Sequence, residues 1–106
     1  MGIVYTSFNS YSIQYLSQDT AREAIVLCYQ DTEIVGYIEF VKNGVDLPPN
    51  VGKYHASMIY YRLSRFQNIV SMLREESPLM LQVNTNTGVG MLTTTSREPV
   101  GDEEGN

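Results

Sequence analysis

Between Ser64 and Thr95 the spacing of apolar residues changes once, from helical to alternating, and a proline stands at the change. Phe66, Ile69, Val70 and Leu73 recur at i, i+3, i+4 and i+7, which puts four apolar groups on one stripe of a helix. Gln67, Asn68, Ser71, Arg74 and Glu75 are left for the solvent side. Ser64-Arg65-Phe66-Gln67 has the S-x-x-Q form of a capping box, in which the serine and glutamine side chains each satisfy a free amide at the helix start. Pro78 brings no amide hydrogen and turns Ser77 away from α geometry, so the helix is expected to stop near Glu76. A helix of about three turns is marginal alone. Its stripe must dock on something.

The sequence supplies a sheet for it. Leu79, Leu81 and Val83 alternate with Met80, Gln82 and Asn84, the period of a strand with one buried face. Thr85-Asn86-Thr87-Gly88 carries turn chemistry, and Val89 to Thr95 reads as the returning strand. Upstream, Tyr11, Ile13 and Tyr15 alternate as a half-buried strand. Ala24 to Tyr29 is apolar on both faces, which suits the middle of a sheet. Ile34 to Val41 follows, with Gly36 marking a bulge or a close approach. Asn43-Gly44 is a type I′ turn signal. Pro48 to Lys53 reads as a loop, and Tyr54 to Tyr61 as a fourth strand.

These elements predict one α+β domain over residues 1–97, an antiparallel sheet of five to six strands with one packed helix, in the order β-β-β-β-α-β-β. One helix covers one sheet face. The other face carries Tyr, Met and Val, too apolar to stay wet in full, so self-association as a symmetric dimer is expected. The alternative is that the N-terminal segment and the Pro-rich loop cover that face.

Charge narrows the choice of partners. The net charge is −5, and residues 97–106 carry −3 of it. The body is therefore nearly neutral, and residues 98–106 read as an acidic, partly disordered tail. Nothing here resembles a basic footprint for duplex DNA. The single Cys28 excludes an intrachain disulfide and any multi-cysteine metal site. No stretch has the roughly 18–20 apolar residues of a membrane span. The first residues lack the basic and apolar regions of a secretory signal, so the cytoplasm is the expected location.

Groups that do chemistry are sparse. Cys28 lies mid-strand between Leu27 and Tyr29, where a thiol behaves as a small hydrophobe. His55 is the only histidine, and no serine or cysteine stands in a nucleophile motif beside it. Gly88-Val89-Gly90 falls in a hairpin rather than between a strand and a helix, so it reads as turn geometry. Glu75 and Glu76 are adjacent on a helix and point apart. No metal site and no cofactor are expected.

One cluster stands out: Tyr60, Tyr61, Arg62 and Arg65 at the helix start. Two guanidinium groups, two rings and free helix amides can hold an anion or a nucleotide phosphate. The simpler reading pairs the arginines with Glu39 or Glu33, or extends them into water. The tyrosine-rich strands likewise admit two readings, an interface or a platform for stacking bases. The sequence thus points to a small non-catalytic interaction module, self-associating, with a protein partner also in view. Its alternative is a single-stranded DNA or RNA binder that uses sheet tyrosines with Arg62 and Arg65. No membrane partner is expected.

Overall fold

A computed structural model describes residues 2–95 and residue 97. The fold is α+β: seven strands in two sheets with one helix between strands five and six. The strands are β1 (Ile3–Phe8), β2 (Ser10–Tyr15), β3 (Arg22–Gln30), β4 (Glu33–Val41), β5 (Ser57–Arg62), β6 (Leu79–Asn84) and β7 (Gly90–Thr94). A 3-10 turn, Leu63–Arg65, runs directly into α1, Phe66–Glu75. No helix of the described residues is long and apolar enough to cross a membrane. The acidic segment 98–106 lies outside the described residues.

Two features of this architecture correct the single antiparallel sheet expected from the sequence. First, the strands divide into a three-stranded sheet, β1-β6-β7, and a four-stranded sheet, β2-β3-β4-β5. Residues Ile3–Phe8, expected only as a covering segment, form a full strand antiparallel to β6. Second, β4 and β5 are parallel. The turn at Asn43-Gly44 is present, with Gly44 at φ +85, but it opens a crossover instead of closing a hairpin. A parallel pair needs such a long connection. The fourth strand also starts later than expected, because Tyr54 and His55 form a turn with His55 at φ +61.

The register explains the core. Three rungs of the four-stranded sheet point inward: Tyr15–Ala24–Phe40–Tyr61, Ile13–Val26–Ile38–Ile59 and Tyr11–Cys28–Gly36–Ser57. The helix covers the first end of this face. Phe66 meets Phe40 edge to face at 5.0 Å and Tyr15 at 5.4 Å. Phe66, Ile69, Val70 and Leu73 are all buried, as their spacing predicts. Each buried side chain of this size contributes about 1.5–3 kcal/mol. The three-stranded sheet covers the other end through Val4, Thr6 and Phe8 of β1, Leu79, Leu81 and Val83 of β6, and Leu92 of β7.

Gly36 is where the layers touch. A Cβ there would lie 2.5 Å from Leu81 Cδ1. The residue is also next to a register shift opposite Cys28 and Tyr29, so both readings of this glycine hold. Beside it, buried Thr6 and Ser57 share a hydroxyl–hydroxyl hydrogen bond of 3.1 Å, and Ser57 also donates to the Lys53 carbonyl. The expected capping box does not form. Ser64 is taken into the 3-10 turn, Arg65 occupies the cap position, and no side chain bonds the first amides of α1.

Candidate interaction surfaces

Period two places neighbouring strand residues on opposite faces. This separates the four residues singled out at the helix start. Tyr61 lies on the inner face, beside Phe40 with ring centroids 6.3 Å apart, and burial pushes its phenol pKa up, with the backbone of Leu92 opposing. Tyr60 lies on the outer face, where burial and then the Glu39 carboxylate raise its pKa. Arg62 turns its guanidinium onto the carbonyls of Lys42 and Val45 and so pins the start of the crossover loop. Arg65 is exposed on the 3-10 turn. The two rings therefore do not share a platform, and one of the two cations is committed to backbone. Of the two glutamates offered as partners for these arginines, Glu39 or Glu33, Glu39 is instead 3.5 Å from Arg22.

The outer face of the four-stranded sheet is the larger surface. Its rungs read Gln14–Ile25–Glu39–Tyr60, Ser12–Leu27–Tyr37–Met58 and Ser10–Tyr29–Ile34. Ile25 is buried and Leu27, Tyr29, Tyr37, Met58 and Tyr60 are half-buried on this face, with the buried Glu39 between Ile25 and Tyr60. At one end Arg22, Val41 and Arg62 form a further rung, and Val41 is buried. Arg22 joins this end to the turn between β2 and β3. It donates to Asp19 Oδ2 at 3.0 Å, and Asp19 in turn accepts the backbone amides of Arg22 and Ala21. Those two amide bonds, aided by the guanidinium, lower the Asp19 carboxyl to about 2.

A second surface runs along the free edge of β1. Thr85 N–H donates to the Gly2 carbonyl at 2.8 Å, which sets the phase of the β1–β6 ladder. By the alternation of antiparallel pairing, Val4, Thr6 and Phe8 exchange bonds with β6, while Ile3, Tyr5 and Ser7 turn their N–H and C=O groups away from it. Among the described residues no hydrogen bond is made to that outer side. A cleft of about 300 Å³ lies there, between Tyr5, Thr6 and Ser7 on one side and Tyr54 and His55 on the other. The Tyr54 and His55 rings stack at 3.9 Å and 19°. The far edges are different. β5 is bridged by Val51, and Asn50 accepts from the Tyr60 amide while donating to the Gly88 carbonyl beside β7.

Other candidates resolve into structure. Cys28 is fully enclosed, and burial pushes its thiol up to about 12. Gly88 sits at φ +81 in the β6–β7 turn, in keeping with its reading as turn geometry. Among the described residues no three His, Cys, Asp or Glu side chains cluster as metal ligands. A cleft of about 350 Å³ opens between the end of α1 and the β1–β2 bend, where Arg74 and Glu76 face Phe8 and Tyr11. Sequence reasoning missed the β1 edge because it missed β1. The enrichment of Ile3–Phe8 in β-branched and aromatic residues is the signal that would have found it. No known protein family, curated protein or solved structure matches the chain.

Proposed function

We propose that this chain is a non-catalytic interaction module that self-associates through the outer face of its four-stranded sheet. The observation that carries the reading is the row Leu27, Tyr37 and Met58 on the outer face, large apolar side chains that the fold leaves half-buried. Size and charge favour a second copy as the occupant. Two nine-residue and two six-residue strands, at ~3.3 Å per residue and ~4.8 Å between strands, outline a face of roughly 480 Å². That is a little over half of the ~800 Å² per partner of a standard interface, the size of a weak, concentration-dependent contact. The face is uncharged at its centre, with Glu39 already facing Arg22, so a copy related by a twofold axis meets no like charge there. Tyrosine and methionine also suit an interface core.

Sedimentation across a concentration series tests this. The expected result is a shift from 12.0 kDa toward twice that mass as concentration rises. Tyr37→Lys should hold the chain at the lower mass with an unchanged circular dichroism spectrum. A mass that stays at 12.0 kDa at millimolar protein removes the reading.

Tyr29, Tyr37 and Tyr60 share this face with Arg22 and Arg62, and that supports single-stranded DNA or RNA as the alternative partner. Against it, Arg22 is engaged by carboxylates and Arg62 by carbonyls. Labelled poly-dT decides: binding that weakens with salt and is lost in Tyr37→Lys favours the alternative.

A further inference from the structure

We propose that the free edge of β1 is a binding site for an extended, uncharged peptide segment of a partner protein, which adds to the three-stranded sheet as a fourth strand. Three residues, Ile3, Tyr5 and Ser7, direct their amide and carbonyl groups to the free edge, and Tyr5 and Ser7 line the cleft beside it. An alternating row of donors and acceptors at strand spacing is complementary to another backbone and to little else. Edge strands are ordinarily guarded by a charge, a proline or a bulge. Ile3–Phe8, Ile-Val-Tyr-Thr-Ser-Phe, has none of them, and its pairing with β6 runs without a register shift. Ile3 and Ser7 are exposed, and Tyr5 is 59 % exposed.

The cleft selects the occupant. A strand laid along β1 would turn alternate side chains down toward Val35 and Gln30, between Tyr5 and the stacked rings of Tyr54 and His55. No Asp, Glu, Lys or Arg lines it, which favours aliphatic or small aromatic residues at those positions. A second whole copy fits less well. Six residues give an edge ~20 Å long, which one added strand ~4.8 Å wide covers over roughly 100 Å², well short of ~800 Å² per partner. The Tyr54–His55 wall also limits the cleft on its far side. This site is separate from the outer face of the four-stranded sheet, so either proposal can fail alone.

The test is amide hydrogen exchange on the full chain, followed by NMR. The probe is a pool of capped octapeptides with Val, Leu or Tyr alternating with Ser or Thr and a glutamine at each end. With the pool at about 1 mM, exchange at Ile3, Tyr5 and Ser7 is expected to slow by about tenfold or more, with Val4, Thr6 and Phe8 unchanged. The same pool N-methylated at alternate residues should give no slowing. Tyr5→Pro removes an outward amide that the β6 ladder does not use, and should weaken binding of the labelled pool by about tenfold with its fold retained. Unchanged exchange with the first pool, equal slowing by the methylated pool, or full affinity in a folded Tyr5→Pro would each overturn the proposal. So would slow exchange at Ile3, Tyr5 and Ser7 before any peptide is added, if truncation after Arg97 abolishes it (the chain's own end fills the cleft) or if it rises with protein concentration (a second copy does).

Discussion

The two faces of the four-stranded sheet are built from the same strands and differ in kind. The inner middle rung is Ile13–Val26–Ile38–Ile59, aliphatic throughout, with three of its four members at 0–1 % exposure. The outer rung one residue away is Ser12–Leu27–Tyr37–Met58, polar at the edge and large at the centre, and none of it is fully buried. Branched aliphatic side chains fill a fixed volume with few rotamers. Tyrosine and methionine bring apolar area with a polar tip or a flexible chain, and tolerate a surface that is sometimes wet. The inner face is thus composed for packing and the outer face for contact. Substitutions at adjacent positions should separate the two roles.

The largest difference is expected between Ile38→Ala and Tyr37→Ala. Ile38 is at 0 % exposure in the core cluster, and its truncation should cost about 2–5 kcal/mol. Tyr37, its neighbour on the half-buried side, should cost about 1 kcal/mol while abolishing self-association. Urea melts at low protein concentration measure both. Equal losses would mean that the outer face is part of the monomer's core.

Gly36→Ala sharpens the account of how the layers meet. The added Cβ is 2.5 Å from Leu81 Cδ1 and 3.3 Å from the Ser57 carbonyl, so one layer must move, at about 1–3 kcal/mol. Leu81→Ala removes the obstructing group and alone leaves a cavity. The double variant should be more stable than the sum of the two losses predicts. Strict additivity would show that the contact with Leu81 is not what excludes a side chain there.

Cysteine labelling compares the faces directly. Cys28 is enclosed, and burial holds its thiol at about 12. It should react with a disulfide reagent only through opening of the sheet. In Cys28→Ala with Leu27→Cys, the thiol moves one residue along the strand and onto the other face. At protein concentrations low enough to keep the chain a monomer, it should react about tenfold faster or more in native protein. Matching rates would contradict the assignment of faces.

How much of this was legible follows from where periodicity survives. The helix stripe and Leu79-Leu81-Val83 were readable because every buried position is apolar and the intervening ones, Met72 and Met80 apart, are polar. β1 was hidden because one of its inward positions is Thr6, whose hydroxyl is satisfied only by Ser57, 51 residues away. Nothing local distinguishes that threonine from a solvent-facing one. The parallel β4–β5 pair was hidden because Asn43-Gly44 has the composition of a hairpin turn, and the crossover that follows carries no periodic signal. The site at Tyr60 to Arg65 was a matter of proximity in sequence. Alternation along β5 already implied that Tyr60 and Tyr61 face opposite ways, and tertiary contacts then drew Arg62 to the crossover loop. Missing β1 also meant missing the edge that the exchange experiment tests.

The smallest expected effect lies at the polar end of the outer face. Asp19 is held well below the ordinary carboxylate value, at about 2, first by the amides of Arg22 and Ala21 and then by the Arg22 guanidinium. A carboxyl whose pKa is lowered by folding stabilises the native state when ionised. Its contribution is complete above the ordinary value near 3.8 and is lost as pH falls toward about 2. Asp19→Asn keeps the shape, loses the charge and keeps one oxygen as an acceptor. The wild-type chain should therefore melt slightly higher than Asp19→Asn at pH 5, and the two midpoints should converge between pH 4 and about 2. The same substitution frees Arg22 to turn wholly toward Glu39, now 3.5 Å away. Because that pair borders the apolar row, dimer dissociation should change little at pH 7. A large change there would move the interface toward the Asp19 turn and away from Leu27, Tyr37 and Met58.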